Sequence, residues 1–146
     1  MPTPKEESEV LMNDLLPLAK RMLSEDGEFY PYAGLMRIGG EIVHIGAKVE
    51  GTDHPDSRSV IELLTRKLKE SVQASEAKAT AIVFDVRIIP PGKSEKMDAI
   101  QVSLDHAEGF SAEVFFPYSI ENERSVVFQR TFAQKGNGTM FSDANA

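Results

Sequence analysis

Three histidines, His44, His54 and His106, are the first residues to weigh for metal or general-base chemistry. Asp53-His54-Pro55-Asp56 holds the donors of a small metal or general-base loop. An aspartate and a proline ahead of a helix are also what a turn and an N-cap need, and that reading carries more weight. No histidine pair has the His-x-x-x-His or His-x-His spacing that sets two imidazoles on one ion, so no metal site is expected. His44 falls mid-strand opposite Leu35 and reads as a packed neutral histidine. His106 stands at a strand end and reads as solvent-facing.

The carboxylates offer a row rather than a loop. Asp85 and Arg87 are two apart on one strand and so point to one face. Gln101, Ser103, Asp105 and Glu113 occupy comparable polar positions on the strands that follow. If those strands are neighbours, the polar residues line one side of a sheet, with Asp85, Arg87 and Glu113 as the ligand-binding set. Such a row could bind a polar molecule or supply an acid and a base; it is also what the wet face of a half-buried sheet looks like. Asp85 fits the wet-face reading least, because it interrupts the apolar run Ala81–Phe84 and Val86 and needs a partner there.

Nucleophile and phosphate motifs fail. No Gly-x-Ser-x-Gly elbow occurs, and Ser111 in Gly109-Phe-Ser-Ala-Glu113 lacks the second glycine. Gly40 to Lys48 has the wrong spacing for a phosphate loop, and Gly-x-Gly-x-x-Gly is absent. No catalytic residue and no cofactor is expected.

Phe29-Tyr30-Pro31-Tyr32 and Phe115-Phe116-Pro117-Tyr118 both set aromatics around a proline. Prolines protect sheet edges and aromatics fill cores. The functional alternative is an aromatic contact surface for another chain, including a second copy of this one. Tyr32, Leu35, Phe115 and Tyr118 are its candidate interface residues.

These residues must be held by a definite order of elements. Thr3-Pro4-Lys5-Glu6 has the cap, first-turn proline and capping box of a helix start. Leu11, Leu15, Leu18 and Met22, flanked by Met12, Leu16, Ala19 and Leu23, form a wide apolar stripe. Pro17 should kink or split that helix, and Gly27 ends it. Phe29–Ile38 and Glu41–Val49 read as strands joined at Gly39-Gly40, a two-residue hairpin turn pairing Met36 with Val43, Leu35 with His44 and Gly34 with Ile45. Ser59 with Glu62, or Asp56, starts a second helix with the stripe Ile61, Leu64, Leu68 and Val72. Alternating strands follow over Ile82–Ile88, Ile100–Leu104 and Ala112–Tyr118, then a β-like segment from Val126 to Ala133.

The order α-β-β-α-β-β-β-β predicts an α+β domain with two helices on a mainly antiparallel sheet of five to six strands. Profilin-like and roadblock-like domains share this element order, an analogy of order alone. The second faces of the strands carry Leu35, Ile42, Val83, Ile89 and Phe115. Either the helices cover opposite sides of the sheet, or an apolar strip meets a partner.

The 146 residues suit one domain, taken as 1–133, with a polar flexible tail over 134–146. Zero cysteines exclude disulfide, thiol and thiolate-metal chemistry. Sixteen Lys+Arg against 23 Asp+Glu give a net charge of −7, which argues against nucleic acid. No apolar run approaches the ~20 residues of a membrane span. No basic, apolar leader opens the sequence, and a cytoplasmic location is expected.

Phe29-Tyr-Pro-Tyr-Ala-Gly34, Phe84-Asp-Val-Arg-Ile-Ile-Pro-Pro-Gly92, Asp98-Ala-Ile100 and Glu113-Val-Phe-Phe-Pro-Tyr118 resemble segments of a widespread family of small, uncharacterised bacterial proteins. The resemblance runs over about Phe29–Ala133. It implies a bacterial, cytoplasmic protein and transfers no site.

The leading expectation is a non-catalytic protein-interaction module that self-associates. An immunity-type protein, an acidic domain that neutralises a basic toxin, is one class within it. The alternative is a small-molecule binder or hydrolytic enzyme using Asp85, Arg87 and Glu113.

Overall fold

Thr3 and Glu6 exchange the two hydrogen bonds of a capping box, each at 3.1 Å, and start α1 (Pro4–Asp26). The computed structural model describes residues 2–47, 56–122 and 125–141. Gly27, at a φ of 77°, stops α1 in the left-handed conformation and donates its N–H to the Leu23 carbonyl. The helix continues through Pro17 as one element, because Pro17 and Asn13 lie on its exposed side. The carbonyl that loses its partner there faces water. Leu11, Leu15 and Leu23 are fully buried, each burial contributing about 2 kcal/mol.

The sheet comprises β1 (Tyr32–Arg37), β2 (Ile42–Ile45), β3 (Ala77–Ile88), β4 (Met97–His106), β5 (Ser111–Glu121), β6 (Ser125–Phe128) and β7 (Phe132–Lys135). Helix α2 (Ser57–Gln73) connects β2 to β3. The strand order is β2-β1-β3-β4-β5-β6, with β7 also beside β5, and every pairing is antiparallel. The α+β class, the two helices and the antiparallel sheet agree with the sequence pattern.

Among the described residues seven strands form rather than five or six, because the last β-like segment divides into β6 and β7. Between Tyr118↔Phe128 and Phe115↔Phe132, three steps on β5 face four on the partner. Pro117 sits at this break; its carbonyl accepts from the Gln129 N–H at 2.8 Å, and it has no N–H to return.

The β1–β2 register differs by one residue from the expected one: Leu35 pairs with Val43 and Gly34 with His44. The Gly40 N–H donates to the Arg37 carbonyl, and Gly40 takes a φ of 100°. The loop is therefore Ile38-Gly39-Gly40, a turn closed by one left-handed glycine. Gly34 faces α1 so closely that an added Cβ would lie 2.7 Å from Leu15 Cδ2.

The two helices cover opposite faces. One core joins α1 to Tyr32, Met36, Ala81, Val83, Ile100, Val102, Leu104 and Tyr118. The other joins α2, through Val60, Leu64, Leu68 and Val72, to Ala33, Leu35 and Ile82. Asp56 caps α2 by accepting from the Ser59 N–H at 2.8 Å, so the helix starts there rather than at Ser59. The chain beyond residue 133 stays attached as far as Phe141. It completes β7, donates the Gly138 N–H to Ser111 Oγ at 3.1 Å, and buries Met140 in the α2 core. Among the described residues no helix is long and apolar enough to cross a membrane.

Candidate ligand-binding face

The β3–β4 register pairs odd-numbered residues of β3 with even-numbered residues of β4. That one fact divides the expected polar row. Asp85 is opposite Ile100, and Ile100 opposite Phe116, so Asp85 and Arg87 lie on the α1 face. Glu113 is opposite Ser103, and Ser103 opposite Ile82, so Gln101, Ser103, Asp105 and Glu113 lie on the α2 face. Asp85 and Arg87 therefore do not meet Glu113.

Each half of the divided row has its own partners. The Tyr118 hydroxyl donates to Asp85 Oδ1 at 2.8 Å. Burial still holds the Asp85 carboxyl above the usual carboxylate range, the hydrogen bond offsetting part of the rise. Arg87 reaches Asp98 at 3.6 Å on the exposed end of the strands.

On the other face α2 packs over β1 and β3, and no described helix covers β4, β5 and β7. There Glu113 Oε1 accepts from Gln101 Nε2 at 2.7 Å and also from the Ser103 hydroxyl. Asp105 Oδ1 accepts from Ser111 Oγ at 2.9 Å. Its carboxyl is pushed up to about 6, chiefly by burial and further by the Glu113 charge, against the Ser111 hydrogen bond.

This helix-free half ends in a groove of about 800 Å³ lined by Pro90–Lys93, Met97 and Gln129–Phe132. One wall is a turn in which the Lys93 N–H donates to the Pro90 carbonyl at 3.1 Å and Gly92 takes a φ of 78°. Proline then glycine at the central positions is what a type II turn requires. The other wall is the β6–β7 break. Phe132 stacks on Phe115 with ring centroids 4.8 Å apart and planes 10° from parallel. Lys93 and Arg130 are the charged residues of the lining.

Sequence reading missed this groove. The available signals were Pro90-Pro91-Gly92, which ends β3, and Pro117, which cannot complete the ladder to the last strand.

The expected interface residues are core residues: Tyr32, Leu35, Phe115 and Tyr118 are 7%, 5%, 5% and 3% exposed. The Tyr32 hydroxyl donates to the Leu15 carbonyl at 2.5 Å and accepts from the Ala19 N–H at 3.0 Å. Burial pushes its pKa up to about 12. These tyrosines tie α1 and β5 to the sheet instead of presenting a surface.

The histidines also differ from expectation. His44 is half exposed and lies 2.7 Å from Asp14 of α1, because the shifted hairpin register turns it to the α1 face. His106 is buried under the first turns of α1, not solvent-facing. Its Nδ1 accepts from the Glu108 N–H at 3.1 Å, so Nε2 carries the proton donated to Glu7 Oε1 at 2.9 Å. Lys78 Nζ lies 2.5 Å from Glu7 Oε2. The Lys78 and His106 hydrogen bonds hold the Glu7 carboxyl below its ordinary pKa. Donor atoms of Glu7, His106 and Glu108 fall within 4.8 Å of one another, but Lys78 already supplies the positive charge that a metal would bring. The reading of His54 falls outside the described residues.

No protein-family model, curated protein or solved structure matches the chain.

Proposed function

We propose that this protein is a small-ligand-binding domain that works by recognition rather than by chemistry on its ligand. Its site is the helix-free half of the α2 face, from the Gln101–Glu113 network to the groove beside Phe132. The observation that carries this reading is the asymmetry of the two faces. Helix α1 packs across β1, β3, β4 and β6, whereas α2 packs on β1 and β3 and leaves a face that carries polar groups and a groove of about 800 Å³. That volume lies within the ~300–1,000 Å³ usual for small-molecule sites.

Recognition is favoured over catalysis by how the carboxylates are engaged. Glu113 is held by Gln101 and Ser103, and Asp105 by Ser111, so each is oriented by neighbours on its own face. Self-association through Tyr32, Leu35, Phe115 and Tyr118 would require opening the core.

The test is an amide ¹H–¹⁵N spectrum titrated with a library of small organic compounds of mixed charge. Saturable shifts confined to β4, β5, β7 and the Pro90–Met97 loop are expected. Hits that map only to the α1 side of the sheet would overturn the proposal.

A further inference from the structure

We infer that the groove beside Phe132 takes an organic anion, with a flat apolar body against Phe132 and Met97 and a carboxylate or phosphate held by Lys93 and Arg130. This rests on the binding role proposed above for the helix-free face.

Acidic residues outnumber basic ones 23 to 16 in the chain, yet among the described residues the charged side chains lining the groove are both cationic, the nearest carboxylate being Glu95 of the adjoining hollow, which also holds Lys96. Neither Lys93 nor Arg130 has an ion-pair partner among the described residues. A guanidinium offers a planar fork of donors and an ammonium a compact charge, a combination suited to an oxyanion.

Pro90 and Pro91 have no N–H, and the Lys93 N–H is spent on the Pro90 carbonyl within the turn. That wall therefore keeps only the Gly92 N–H as a main-chain donor, and Lys93 and Arg130 supply the charge for anion recognition.

Phe132 is fixed by its stack on Phe115, and Met97 is a soft neighbour that adapts to a ring. Gln129 and Thr131 add neutral hydrogen-bonding groups on the opposite wall. A cationic rim over an aromatic floor matches an anion that carries a flat body better than a bare inorganic ion.

The experiment titrates 2-naphthoate and 2-naphthyl phosphate into the full chain, with 2-naphthalenemethanol as the neutral control, and follows amide shifts. Lys93→Gln, Arg130→Gln and the double variant are titrated alongside, their dispersed spectra confirming the fold. Both anions should shift Met97 and the Gln129–Phe132 segment saturably. Each single variant should weaken binding about tenfold. The tighter of the two anions assigns the head group.

The inference is overturned if the alcohol binds as tightly as the anions, or if the double variant binds like the parent chain. Those results would leave the face as a binding site for uncharged ligands. Anion shifts centred on Arg66 and Lys67 of α2 would also overturn it, as attraction to any exposed basic side chains. Absence of shifts throughout β4, β5 and β7 with all three compounds would count against both the anion and the face.

Discussion

Gln101 and Glu113 are joined across β4 and β5 by a hydrogen bond of 2.7 Å, on the half of the sheet that no described helix covers. The same carboxylate takes the Ser103 hydroxyl, so one acceptor orders two donors on the face that carries the groove. Replacing Glu113 with Gln keeps the shape but changes an acceptor-only group into one that also donates. The network must then rearrange. We expect little change in stability, within about 0.5–1.5 kcal/mol, and altered ligand shifts on β4. Denaturant melts paired with the ligand titration check both parts.

Asp105 gives the face a pH dependence. Its folded pKa of about 6 stands above the ordinary 3.8, so the native state holds the proton more tightly than the unfolded chain. The stabilisation is complete below pH 4 and is lost as pH rises through 6. Asp105→Asn should remove that loss and stabilise the protein at pH 7.5 by about 1 kcal/mol, after allowing for partial exposure. At pH 4 the variant should match the parent. Urea melts at the two pH values decide the matter; equal effects at both would contradict the assignment.

Glu7 acts in the opposite sense and a different window. Its folded pKa is depressed below 4.5, so its contribution is present above that value and is lost as pH falls through the folded pKa. Glu7→Gln should cost about 2 kcal/mol at pH 7, because Lys78 loses its charged partner and the His106 contact weakens. Thermal melts should show the penalty shrinking below pH 4.

Much of the frame was legible in the sequence because its signals are local. The Thr3–Glu6 box, the Gly27 stop and the alternation along β3 to β5 each involve neighbours a few positions apart. What failed depended on register or distant packing. Which glycine of Gly39-Gly40 takes the positive φ shifts β2 by one residue and turns His44 toward Asp14. The pairing of Asp85 with Ile100 separates Asp85 from Glu113. The burial of His106 depends on Glu7, 99 positions away, and no local pattern could place the two together.

Tyr118→Phe tests the α1 face. Without the hydroxyl, the half-buried Asp85 loses the hydrogen bond that favours its charged form. The expected cost is about 1–2 kcal/mol at pH 7, falling at pH 3.5 where Asp85 is protonated. A penalty independent of pH would mean that lost packing, not the hydrogen bond, sets the effect.

Gly34→Ala tests the close approach of α1 to β1. The new methyl would meet Leu15 Cδ2 at 2.7 Å and the Val43 carbonyl at 3.1 Å. Overpacking of about 1–3 kcal/mol is expected. Leu15→Ala made together with it should recover part of that loss, and a double-mutant cycle from denaturant melts measures the coupling.

The central claim, that the helix-free half of the α2 face binds small ligands, is tested most directly by soaking crystals with a fragment collection that includes 2-naphthoate. The account predicts bound fragments between the Gln101–Glu113 network and Phe132, with the naphthoate carboxylate within hydrogen-bond distance of Lys93 or Arg130. Fragments that bind only elsewhere, with this face open in the crystal and bare, would contradict it.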